Sequence, residues 1–64
     1  MKTTVWLRDG DTPLEHATTR EWADRYAVII ATGRLLICDT GPGPFPRLDE
    51  AIDAGTWLKV EVEA

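Results

Sequence analysis

The side chains here best suited to nucleophilic chemistry are one histidine, His16, and one cysteine, Cys38. A thiol nucleophile needs a base within hydrogen-bond reach. Nothing in the sequence sets His16 beside Cys38. Cys38 closes the apolar run Leu35-Leu36-Ile37, where a cysteine serves as a small hydrophobe. His16 lies in a polar stretch and reads as a surface residue. A lone cysteine forms no intramolecular disulfide, and no Cys/His set has zinc spacing.

Carboxylates are the other candidates, eleven in all. Glycosidic or metal chemistry requires two or more of them to converge in a cleft. Asp9-Gly10-Asp11 begins like a calcium loop, but its glycine comes too early and Pro13 stands where a ligand is needed. These residues read as turn formers. Gly41-Pro42-Gly43-Pro44 is no phosphate cradle, because prolines remove the backbone donors and no lysine follows. It reads as a stiff connector presenting Phe45, an aromatic that loses little entropy on contact. The expectation is a non-enzymatic chain with no catalytic residue, metal or cofactor.

Composition bounds the rest. The 64 residues suffice for one domain, 1–64, with a small core. A hydrophobic fraction of 44% suits a folded chain. Seven basic against eleven acidic residues give a net charge of −4. That balance disfavours direct contact with nucleic acid or anionic membranes and permits contact with a basic protein surface. No stretch is long and apolar enough to span a bilayer, no signal-peptide pattern opens the chain, and a single cysteine fits a reducing interior. The cytoplasm is the expected compartment, and the oligomeric state stays open.

The elements that must position these residues can be read in order. Met1–Arg8 alternates as a strand, with Val5 and Leu7 facing one way and Thr4, Trp6 and Arg8 the other. Residues 9–13 break it, and Leu14–Thr18 could form a short strand. Thr18-Thr19-Arg20-Glu21 matches a capping box, opening a short helix or turn through Trp22, Ala23, Arg25 and Tyr26. Tyr26–Ala31 and Arg34–Asp39 flank Thr32-Gly33 as a β-hairpin. A two-residue loop pairs Ile30 with Leu35, Val28 with Ile37 and Tyr26 with Asp39. Both faces of this hairpin are apolar, so either both are covered or one is a contact surface. Residues 40–46 connect to a second short helix over Arg47–Ala54, with Leu48, Ala51 and Ile52 on one face and Asp49, Glu50 and Asp53 on the other. Gly55 stops it. Thr56–Glu63 is a last strand with Leu58, Val60 and Val62 inward and Trp57, Lys59, Glu61 and Glu63 outward. The expected fold is α+β, a small and mostly antiparallel sheet of about four strands with two short helices.

Two binding surfaces follow from that layout. One is acidic: Asp49, Glu50 and Asp53 on the helix, with Glu61 and Glu63 on the strand, form a single negative patch if the two elements adjoin. The other is apolar, with Trp57 and Phe45 as anchors alongside Trp6, in a module that self-associates or joins a larger complex.

A small, acidic chain without a catalytic motif resembles the inhibitors that phages and mobile elements carry against host defence, including anti-CRISPR proteins. The resemblance lies in size and charge. It implies a DNA-mimic-like inhibitor whose acidic face occupies the basic nucleic-acid channel of a CRISPR-Cas-type effector. A second resemblance is to the β-grasp sulfur carriers of the ThiS/MoaD type, through Met1–Leu7, the hairpin Ala27–Ile37 and Ala54–Val60. The carriers close on Gly-Gly where Glu63-Ala64 stands here, so that likeness implies the fold without the carrier chemistry.

Overall fold

The computed structural model describes residues 1–39, 41 and 47–64. Most of the expected connector, Phe45 included, lies outside them. Among the described residues six strands run in chain order: β1 (Lys2–Leu7), β2 (Thr19–Ala23), β3 (Arg25–Ile29), β4 (Leu35–Asp39), β5 (Arg47–Ile52) and β6 (Trp57–Glu63). They form two three-stranded antiparallel sheets, ordered β2-β1-β6 and β3-β4-β5. The one helical segment among the described residues is a single 3-10 turn, Leu14–His16, where a strand was considered. The α+β expectation is therefore corrected to an all-β fold, and the β-grasp likeness falls with its helix.

Both expected helices are strands, for separate reasons. In β2, Arg20 and Trp22 lie across the ladder from Val5 and Thr3, while Thr19, Glu21 and Ala23 face away. The capping-box spacing occurs here within an alternation of period two, and β1 supplies the hydrogen bonds that a helix would have made internally. In β5 the register shifts between Ile37 and Cys38 of β4, which face Glu50 and Leu48. Asp49 is the extra residue of a bulge. A bulge puts Leu48 and Ala51 on the same face three positions apart, the spacing that otherwise marks a helix.

A second bulge corrects β6. Leu7 pairs with Trp57 and Trp6 with Lys59, so Leu58 is the extra residue. Trp57 turns inward against the core and Leu58 is left 37% exposed, the reverse of the expected order.

The hairpin exists, but its register is one residue from the expected one. Ala27 pairs with Ile37, Val28 with Leu36 and Ile29 with Leu35. The loop has three residues rather than two. Ile30 N–H donates to Arg34 O at 3.0 Å, and Gly33, at φ 86°, donates back to Ile30 O at 2.8 Å. Three-residue loops of this kind place a glycine at the left-handed position. The one-residue change exchanges which face each β3 side chain joins.

The two sheets are joined by a one-residue turn. β2 runs into β3 through Asp24, whose φ of 55° turns the chain from one sheet to the other. Its N–H donates to Met1 O at 2.7 Å. Aspartate tolerates this left-handed conformation better than most residues. Arg25 braces the corner, with Nη1 donating to Ala23 O at 3.3 Å and Asp24 O at 3.1 Å. Between the sheets sit Val5, Leu35, Ile37 and Ile52, with Leu7, Trp22, Ala27, Trp57 and Val60 packed against them. Thr3 is fully buried at the corner, its hydroxyl donating to Arg25 O at 2.7 Å. Trp57 Nε1 donates to Gly33 O at 3.1 Å, tying β6 to the hairpin tip.

Candidate interaction face

The expected acidic surface is dispersed over several faces. Asp49 occupies the bulge and pairs with Arg25 at 3.3 Å. Glu50 points toward the inner face and meets Arg20 in a two-point contact at 3.0 and 2.9 Å. Because β2 and β5 belong to different sheets, this pair clasps one sheet to the other. The Arg20 guanidinium also lies 4.6 Å from the centre of the Trp22 ring, which adds a cation–π contribution. Asp53, just past β5, reaches Arg34 at 3.4 Å. Glu61 and Glu63 lie on the outer face of the other sheet. Glu61 pairs with Lys59 at 3.0 Å, and Glu63 lies across the ladder from Lys2. Lys59 is also 4.7 Å from the centre of the outward Trp6 ring. Four of the five acids, Asp49, Glu50, Asp53 and Glu61, thus stand in ion-pair contact with a cation of the chain, and the five do not share one surface. Of the expected aromatic anchors, Trp57 is turned to the core and Phe45 lies outside the described residues.

Chemistry-bearing residues are similarly separated. Cys38 is a buried free thiol in β4, while His16 is exposed in the 3-10 turn. Among the described residues, no group of three or more His, Cys, Asp or Glu is placed to hold a metal. No helix among them is long and apolar enough to cross a membrane.

The structure does assemble an apolar outer face on β3-β4-β5. Residues opposite one another in an antiparallel ladder share a face. Tyr26, Cys38 and Leu48 form one row, and Val28, Leu36 and Ala51 the next. Continuing the alternation, Ile30, Arg34 and Asp53 close the end near the hairpin tip. Val28 is 40% exposed, Ile30 38% and Leu48 60%. Cys38 is covered, and partial burial pushes the Tyr26 hydroxyl above its usual range, with the adjacent Cys38 thiol adding to the shift. Among the described residues of these three rows, the charged ones are Arg34 and Asp53, paired at the edge. The sequence signal for it was a hairpin apolar on both sides. The contribution of β5 was hidden by the bulge.

Comparison of the chain with protein-family models, with curated proteins and with solved structures gives no match.

Proposed function

We propose that this protein is a non-catalytic interaction module that engages another protein surface through the outer face of β3-β4-β5. The observation that carries this reading is a three-stranded apolar face with Val28 and Leu48 substantially open to water. A sheet of this kind normally keeps one face polar when that face meets solvent alone. Exposed contiguous apolar surface is a recurrent mark of a contact site. The free Cys38 thiol within this face is in keeping with a reducing compartment such as the cytoplasm.

A second reading keeps the negative charge as the driver: an inhibitor occupying the basic nucleic-acid-binding surface of a defence effector. Net charge −4 favours it. Engagement of Asp49, Glu50 and Asp53 by arginines weakens the field those acids project. Affinity capture with four bait proteins, wild type and three variants, separates the two readings. On the apolar reading, Val28→Asp loses the partner that wild type retains, and Glu61→Lys keeps it. If Glu61→Lys and Glu63→Lys lose the partner while Val28→Asp retains it, the acidic reading replaces the apolar one.

A further inference from the structure

We propose that residues 26–31 are a self-assembly segment, whose open edge takes the same segment of a second copy of this chain as an added strand and so nucleates cross-β assembly. The inference concerns the edge of β3 and stands apart from the reading of the outer face.

β3 pairs with β4 on one side, and among the described residues no strand pairs with its other side. Main-chain groups in an antiparallel ladder alternate in direction. Ile30 N–H points across the hairpin to Arg34 O, at 3.0 Å. Val28 therefore turns its N–H and C=O toward β4, and Ala27 and Ile29 turn theirs away. Arg25 fits the same alternation, since its carbonyl points away from β4 and accepts from Thr3. Ala27 and Ile29 make no main-chain hydrogen bond on that side among the described residues.

Charge separates this edge from the other three. β2 carries Arg20 and Glu21, β5 carries Arg47, Asp49 and Glu50, and β6 carries Lys59, Glu61 and Glu63. Charged side chains on an edge disfavour the addition of another strand. Residues 26–31, Tyr-Ala-Val-Ile-Ile-Ala, hold no charge, no proline and no glycine. Ile29 is 54% exposed, and Val28 and Ile30 are open to water beside it. Short β-prone runs of this composition stack as cross-β, and an exposed edge presents them for it. The uncharged runs from Thr3 to Leu7 and from Leu35 to Cys38 belong to central strands, which are paired on both sides. Composition also selects the occupant. An identical segment brings only apolar side chains against Ile29, whereas a charged strand would have to desolvate its charges there.

Assembly of the chain at about 300 µM, followed by thioflavin T fluorescence with shaking, tests this. Wild type assembles after a lag. Ile29→Lys puts a charge on the edge, and Ile29→Pro removes a donor that β4 does not use. Each lengthens the half-time about tenfold or more. Val62→Lys and Leu48→Lys make the same change of net charge at exposed apolar positions off this edge, and stay within about twofold of wild type. A variant that is merely destabilised exposes more apolar surface and assembles faster, so slowing is not a symptom of poor folding. Quenched amide exchange shows Ala27 and Ile29 protected in the assemblies and unprotected in the monomer. Wild type that never assembles overturns the proposal. So do Ile29 variants that assemble at the wild-type rate, or protection centred on another strand. If Leu48→Lys slows assembly as much as Ile29→Lys, the outer face drives association, and the edge proposal fails while the interaction-module reading stands.

Discussion

Thr3 is the residue on which the corner between the sheets turns. It is fully buried, and its hydroxyl satisfies the carbonyl of Arg25 at 2.7 Å. Replacing it with valine keeps the shape and removes the donor. The expected cost of Thr3→Val is about 1–2 kcal/mol, read as a lower midpoint in thermal unfolding. Gly33 makes a second demand at this scale. Its φ of 86° disfavours any side chain, and a Cβ there would come within 3.3 Å of Ala54 Cβ. Gly33→Ala is expected to lower the urea midpoint by an amount equivalent to about 1 kcal/mol or more, without changing the slope of the transition. Ion pairs contribute less. Arg20–Glu50 has two-point geometry, but both side chains are partly solvated, which limits it to about 1 kcal/mol. What the sequence could not convey at this scale is pairing. Asp49, Glu50 and Asp53 read as an acidic surface because the partners Arg25, Arg20 and Arg34 are 24, 30 and 19 positions away or brought close only by the ladders.

At the scale of elements, legibility depended on whether alternation was unbroken. β1 shows its period of two without interruption, and the sequence sets Val5 on the face opposite Trp6, the face that the structure buries. β6 was recognised as a strand, yet the extra residue Leu58 reversed Trp57 and Leu58 at its start. β5 was read as a helix because the bulge at Asp49 converts a period of two into a spacing of three. Deleting Asp49 tests that account. Regular alternation is restored while Leu48 remains opposite Cys38, and only the Arg25 contact is lost. The expected result is a folded protein with unchanged strand content in far-ultraviolet circular dichroism. Conversion to a helical spectrum, or loss of folding, would show that the bulge residue is required for β5 to form. The hairpin was legible as an element, because two β-rich runs flank Thr32-Gly33, but not in its register. Loop length fixes register, and the sequence does not distinguish a Thr32-Gly33 loop from an Ala31-Thr32-Gly33 one until the bond from Gly33 N–H to Ile30 O is known.

For the whole molecule, the number of sheets was the unreadable quantity. A single sheet with helices was the simplest arrangement for the elements expected, and nothing local announces that a strand will leave one sheet for another at Asp24. The buried interior is correspondingly thin, with Val5, Leu35, Ile37 and Ile52 at its centre. Its radius of gyration, 12.1 Å, exceeds the roughly 10.7 Å of a compact 64-residue domain.

The junction at Asp24 has one more consequence, for how the protein opens. Because β2 and β3 are a single run of chain, fraying of one sheet pulls on the ladder of the other, and there is no linker across which strain could dissipate. Slow amide exchange at Val5, in one sheet, and at Ile37, in the other, is expected to report the same opening free energy, equal to that of global unfolding. A protein of this construction has no half to spare: it is expected to open as one cooperative unit, so that whatever destabilises either end is felt at both.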